Sequence, residues 1–195
     1  MDRLEPYKKL LEIICQILEI ENDLDLTIYP FLPTKFNREF NSINIQVIEG
    51  IGIIDLFLNM GHEVFHAKQH KDKTLKVNKE EYHYRSELYK NDTWMMYYYY
   101  SVEREAQSFG WILAGFANDL FYKNHPNQEY YQIKKNIYSS MMKLKLSDMT
   151  LKKQFEETQQ LLDECFDRFY EVYKDLILSN QSSLLSWYKK YISPH

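Results

Sequence analysis

The chain has 195 residues, 45% of them hydrophobic, and a formal net charge of -4. This length suits one domain with a buried core, and the acidic excess argues against a dedicated nucleic-acid-binding protein, which needs basic residues to meet phosphates. Cys15 and Cys165 are far apart and indicate neither a disulfide framework nor a CxxC metal site. The sequence shows no secretory signal pattern and no run of about eighteen apolar residues, so we expect a soluble, cytoplasmic protein.

The first segment predicts a packing helix followed by two short strands. Apolar residues follow helical spacing from Pro6 to Leu18. Residues 26–29 have the composition of a short strand that ends at Pro30. Residues 43–47 alternate apolar and polar side chains, which is the pattern of a half-exposed strand. We expect the second strand to form a sheet edge, which either pairs with an extended peptide or is a plain edge.

The next segment contains the most specific motif of the chain, His-Glu-Val-Phe-His at residues 62–66, within a helix predicted from 53 to about 70. Positions four apart lie on one face of a helix, so His62 and His66 can offer two imidazoles to one ion. This is the HExxH spacing of zinc peptidases. In such enzymes zinc takes three protein ligands and a water, and the acid beside the first histidine, here Glu63, is the general base.

An amphipathic helix with two polar residues on its solvent side would have the same sequence pattern. The residues around the histidines argue against this alternative, because they are apolar and do not belong to a solvated face. These flanking residues are Phe57, Leu58, Val64 and Phe65.

Residues 71–92 are polar and rich in lysine, but acidic residues nearly cancel the charge. A solvated loop or a short helix therefore fits this stretch better than a phosphate-binding patch does. A long connection between two site-bearing helices can also grip a substrate. Tyr82, His83 and Tyr84 lie in it and are candidates for the donor that stabilises an oxyanion.

A long helix, or two abutting helices, is predicted from Trp94 to about Tyr122, and it carries Glu103, Arg104 and Glu105. Such clusters are usually solvated, but an acid that points into an apolar face must be paired or bound to a cation. Because two positions along a helix differ in direction by about 200°, only one of the two glutamates can face an ion beside the HExxH motif.

Taken together, the HExxH at 62–66 and the sequence Glu-Arg-Glu-Ala-Gln-Ser-Phe-Gly at 103–110 resemble the motifs of gluzincin metallopeptidases. More narrowly, they resemble the ImmA/IrrE family, whose second motif reads roughly E-x-x-A-N-x-F-A. The similarity covers about fifteen motif residues. The chain departs from the narrower family at residues 64–65, where members commonly have Leu-Gly, and at 111–115, which replace a Leu-Leu-Met-Pro sequence.

The resemblance implies a role for each matching residue. His62, His66 and Glu103 match the three ligands of Zn²⁺, and Glu63 matches the catalytic base. Gln107 falls where an Asp or Asn usually orients a ligand histidine through a hydrogen bond. Glu105 is the rival to Glu103 as the third ligand.

Helical spacing of apolar residues continues at 130–141, at 155–177 and at 184–188. The expected fold class is therefore α+β and mainly helical. The resemblance implies a zincin-like metallopeptidase core with a small sheet over residues 1–125. We expect residues 126–195 to form a helical extension that packs on this core within a single domain.

These expectations define a zinc-dependent metalloendopeptidase that hydrolyses peptide bonds in a protein substrate. The resemblance implies that this substrate is a regulatory protein that binds DNA, whereas direct nucleic-acid or membrane binding by the chain itself is not expected. One alternative is a catalytically inactive zinc-binding module for protein interactions, although such a module would not need Glu63. Another is a helical interaction protein without a metal.

Overall fold

The computed structural model describes residues 4–28, 34–46, 52–74, 101–122 and 149–193. Within these ranges the chain is mainly helical and has one small sheet, as the sequence predicts. The helices are α1 (Glu5–Ile17), α2 (Ile53–Lys71), α3 (Ser101–Tyr122), α4 (Met149–Ser179) and α5 (Gln181–Tyr191). The strands are β1 (Asp25–Ile28), β2 (Lys35–Asn37) and β3 (Ser42–Ile45). No helix in these ranges has the combination of length and apolarity that crossing a membrane requires.

Helix α1 is the packing helix that the apolar spacing predicts. Pro6 lies in its first turn, where the missing N–H costs no hydrogen bond. The buried residues of its apolar stripe include Leu10, Leu11, Ile14 and Ile17, and Leu18, which follows the helix, is also buried. The indole N–H of Trp187 donates a hydrogen bond to the carbonyl of Pro6 at 2.6 Å, so this contact anchors α5 to α1.

The sheet has the strand order β1-β3-β2. Strand β3 pairs in parallel with β1 and antiparallel with β2. Ile43 and Ile45 are buried and Asn44 is less so, which confirms the alternation that the sequence predicts. The predicted strand at 26–29 corresponds to β1.

The expectation that the strand at 43–47 is a sheet edge is wrong, because β3 has a neighbour on each side. An alternating pattern reports that one face of a strand is covered, and it carries no information about the strand's edges. Within the described ranges the edge strand next to α2 is β2, a strand of three residues that the sequence pattern does not predict. Phe36 is its buried residue, packed against the ring of His70 at a centroid distance of 5.9 Å.

Helices α2 and α3 cross at two glycines. A Cβ added to Gly110 would lie 2.7 Å from the carbonyl oxygen of Leu58, a main-chain atom of α2 that has little freedom to move. A Cβ added to Gly61 would lie 3.0 Å from the Leu113 side chain and 3.3 Å from the Cα of Gly110. The absence of side chains at both positions therefore allows the two backbones to approach closely.

The C-terminal helices belong to the same hydrophobic core as α2 and α3. Phe65 of α2 packs against Phe169 of α4 at a ring centroid distance of 5.3 Å, and Phe109 of α3 packs against Tyr173 at 5.1 Å. Cys165 is buried in this core as a free cysteine, and Cys15 is also free and buried. Residues 123–148 lie outside the described ranges, so the division into 1–125 and 126–195 stays a prediction.

The helix crossing generates a first prediction. We expect Gly110→Ala to lower the free energy of unfolding by about 1–3 kcal/mol, because overpacking against a main-chain atom outweighs the better helix propensity of alanine. Gly61→Ala is the matched comparison at the same crossing and should cost less, since its closest neighbour is a flexible side chain. Chemical denaturation monitored by circular dichroism measures both values. Equal stability of Gly110→Ala and the wild type would contradict the close crossing.

Candidate metal centre

The two histidines of the HExxH motif lie one turn apart on α2 and point the same way. Their Nε2 atoms are 3.0 Å apart, and the two rings are nearly perpendicular, with an interplanar angle of 85°. This arrangement follows from the four-residue spacing, which places both side chains on one helix face. The face is directed at α3 because Gly61, next to His62, lies at the helix crossing.

Glu103 enters the same space from α3. Its Oε2 atom is 3.1 Å from Nε2 of His66 and 3.4 Å from Nε2 of His62. One ligand atom from each of the three residues lies within 4.8 Å of the other two. The structure therefore brings together two imidazole nitrogens and one carboxylate oxygen, all largely shielded from solvent.

Glu105, the rival to Glu103, points elsewhere. Its Oε2 accepts a hydrogen bond from the Gln69 amide at 3.0 Å, and its Oε1 lies 3.5 Å from Nη2 of Arg168. This separation of the two carboxylates agrees with the turn of about 200° between positions two apart on a helix. Of the two glutamates, Glu103 is the one placed beside the histidines.

The environment of Glu103 favours its charged form. Burial by itself raises the pKa of this carboxyl, but hydrogen bonds with His62 and His66 outweigh burial and hold the pKa far below its usual range. Burial likewise lowers the pKa of His66, but the hydrogen bond and the negative charge of Glu103 reverse that effect, so the pKa of His66 is raised. The Glu103 carboxylate therefore keeps its charge at the point where the ligand atoms converge.

The three side chains fit a divalent transition metal by the chemistry of their donors. Two imidazoles and one carboxylate are a ligand set that catalytic zinc takes, with one coordination position remaining for a small molecule. A buried carboxylate without water also needs a cation nearby, and a metal ion provides one. The role of His62, His66 and Glu103 as zinc ligands stays a prediction that this geometry supports.

Glu63 lies beside this cluster on the side of the sheet. Its Oε2 accepts a hydrogen bond from the main-chain N–H of Phe36 at 2.6 Å. The strand that borders Glu63 is thus β2, not the strand at 43–47 that the alternation suggested. A carboxylate held by a main-chain donor has a defined orientation relative to the histidines on the same helix.

A glutamine on the same helix, Gln69, contacts the second ring nitrogen of His66. Its Nδ1 atom lies 2.8 Å from Oε1 of Gln69, whereas the resemblance gave this orienting role to Gln107, which is buried on α3. Gln69 is three residues after His66 and therefore shares its helix face, so the spacing could have identified it. The hydrogen bond from Phe36 to Glu63 could not be identified from residue spacing, because its donor is a main-chain N–H that every residue except proline carries.

The oxyanion candidates Tyr82, His83 and Tyr84 lie outside the described residues, and so does most of the lysine-rich stretch at 71–92. Comparisons of the chain with protein-family models, with curated proteins and with solved structures give no match. The resemblance to ImmA/IrrE metallopeptidases therefore depends on the motif residues themselves.

A second prediction separates the two glutamates. We expect Glu103→Gln to weaken zinc binding by about 100-fold or more, because it removes the charged oxygen closest to both histidines. The matched variant Glu105→Gln should weaken it by about tenfold or less, since an amide oxygen can still accept the hydrogen bond from Gln69. Competition titration against a chromogenic chelator measures both affinities. The reverse order would make Glu105 the ligand.

Proposed function

We propose that the protein is a zinc-dependent metalloendopeptidase that hydrolyses peptide bonds in a protein substrate. The observation that carries this proposal is the convergence of His62, His66 and Glu103, with Glu63 adjacent to the first histidine. Each residue type in this group has a distinct use in peptide hydrolysis, and two helices place them together. The small sheet beside α2 supports the further proposal that residues 1–125 form a zincin-like core.

In this proposal the Nε2 atoms of His62 and His66 and a carboxylate oxygen of Glu103 hold Zn²⁺. When bound, zinc would supply Lewis acidity, which polarises a peptide carbonyl and lowers the pKa of a water toward neutrality. The chain contributes a rigid frame, because Glu103 reaches the histidines only while α2 and α3 remain in close contact at Gly61 and Gly110.

Glu63 acts as the general base and then as the general acid. Its carboxylate takes a proton from the attacking water and delivers it to the leaving amine. The hydrogen bond from the Phe36 N–H keeps the carboxylate oriented throughout, since a main-chain donor in a paired strand has little freedom to move. The sheet therefore contributes to the chemistry through β2.

The position of β2 also supports a protein substrate. Among the residues that the structure describes, this strand is at the edge of the sheet, and its main chain contacts the proposed base directly. An extended peptide that lies along such an edge can be recognised through main-chain hydrogen bonds. A regulatory DNA-binding protein as the substrate, and a cytoplasmic location, remain proposals that derive from the sequence resemblance and composition.

A third prediction tests catalysis. We expect Glu63→Gln to lower peptide cleavage by about 100-fold or more, because an amide cannot accept and return the proton. Zinc affinity and the free energy of unfolding should stay close to the wild-type values, since the amide oxygen can still accept the Phe36 N–H bond. Mass spectrometry of a mixed peptide library after incubation with the zinc-loaded protein measures cleavage.

The matched control is Glu12→Gln, which removes the same charge from the outer face of α1, where the side chain is 41% exposed. Its cleavage should equal that of the wild type. A wild-type protein that binds one equivalent of zinc and cleaves nothing in the library would favour the inactive zinc-binding module over the peptidase. A fully active Glu63→Gln variant would show that Glu63 is not the general base.

A further inference from the structure

Gln69 is a buried polar side chain whose amide contacts both site helices. Only 2% of the residue is exposed. Its Oε1 lies 2.8 Å from Nδ1 of His66, and its Nε2 donates to the carbonyl of Val102 and to Oε2 of Glu105, both at 3.0 Å. Every polar atom of this amide therefore has a partner, which is what burial of an amide requires.

The partners determine which way the amide faces. A main-chain carbonyl and a carboxylate can only accept hydrogen bonds, so the amide nitrogen of Gln69 must face Val102 and Glu105. Its oxygen must then face His66. Because that oxygen can only accept, Nδ1 of His66 must carry a hydrogen and donate it.

The hydrogen on Nδ1 determines whether the other ring nitrogen, Nε2, can bind a metal ion. A neutral imidazole carries hydrogen on one nitrogen only, so when a cation occupies the site and Nδ1 keeps its hydrogen, Nε2 of His66 presents its lone pair. That lone pair points to the place where Nε2 of His62 lies 3.0 Å away and Oε2 of Glu103 lies 3.1 Å away. Three electron-pair donors that converge in this way are held together best by a cation, which is the state the proposed zinc site requires.

We infer that Gln69 is a positioning residue that fixes His66 as the Nδ1–H tautomer and thereby presets Nε2 for the metal. Glu105 and the Val102 carbonyl hold the Gln69 amide in the orientation that this role needs. The same hydrogen bonds join α2 to α3 one turn from the ligands, so the group that orients His66 also holds the helix that carries Glu103. This inference rests on the proposed zinc site.

His62 provides an internal comparison. Its Nδ1 atom is buried and has no hydrogen-bond partner within the described part of the chain. The two histidines are therefore unequal, since a side-chain amide selects the tautomer of His66 and no described group does so for His62. A change at Gln69 should alter the spectrum of His66 more than that of His62.

The experiment uses protein with ¹⁵N-labelled histidine, with and without zinc, at a pH where the free imidazole is neutral. Nitrogen–proton correlation spectra identify the protonated nitrogen of each ring. We expect His66 of the wild type to be protonated at Nδ1 in both forms, with a proton that exchanges slowly with solvent. A zinc-free protein in which His66 carries hydrogen at Nε2 and none at Nδ1 would overturn the inference.

Gln69→Leu removes the acceptor and nearly preserves the volume. We expect it to accelerate exchange of the His66 ring proton by at least about tenfold and to weaken zinc binding about 10- to 100-fold, the usual effect of losing a partner that orients a ligand. Glu105→Gln, which retains an acceptor for the Gln69 amide, should keep the exchange rate near the wild-type value and weaken zinc binding by about tenfold or less. Unchanged zinc affinity and unchanged exchange in Gln69→Leu would overturn the inference.

Glu105→Leu provides an independent test if Gln69→Leu fails to fold, because it leaves the Gln69 side chain in place and removes only one of its partners. It should change the His66 spectrum in the same direction and by a smaller amount. Combining both leucine substitutions should weaken zinc binding no further than Gln69→Leu alone, since the two residues act through one chain of hydrogen bonds. Fully additive losses, or an unaltered His66 spectrum in Glu105→Leu, would contradict this arrangement.

The outcomes separate this inference from the proposed function. If the wild-type protein binds no zinc, the peptidase proposal is wrong, whereas the protonated nitrogen of His66 in the zinc-free protein still tests the role of Gln69. If the wild-type protein binds zinc and cleaves peptides, and Gln69→Leu has the same zinc affinity and the same His66 spectrum, only the inference about Gln69 is wrong.

Discussion

The close crossing of α2 and α3 is the constraint on which the candidate site depends. Leu58 and Gly110 are in main-chain contact there, and no residue with a side chain fits at position 110 without displacing a helix. This proximity places a carboxylate of one helix within hydrogen-bonding distance of two imidazoles on the other.

The crossing also creates an electrostatic problem that the structure resolves locally. Glu103 is charged and mostly buried, a combination that is costly without a compensating partner. Its hydrogen bonds to His62 and His66 compensate in the metal-free chain and keep its pKa well below the usual range. A divalent cation would provide the same compensation more completely, since it brings two positive charges to the point that all three ligand atoms face.

Much of the fold follows from residue spacing. The apolar stripes of α1, α2 and α4 and the alternation in β3 predict their elements, because local periodicity and burial of one face are directly related. Strand β2 is different. It has three residues, and its existence depends on pairing with β3 and on contact with α2, so no local pattern identifies it. The same reason explains why β3 was expected at an edge: the neighbours of a strand are decided by segments distant in the chain.

The sequence by itself determined which residues on α2 can act together, since four-residue spacing puts His62 and His66 on one face in any helix. It also determined that only one of Glu103 and Glu105 can face them. Which one does so was decided by the tertiary structure, through the rotation of α3 about its axis when Gly110 packs on Leu58. The partners of Glu63 and His66 were decided in the same way. A main-chain N–H and a buried amide acquire their roles only when distant segments meet, because hydrogen bonds of this kind depend on positions in space and leave no periodic trace in the chain.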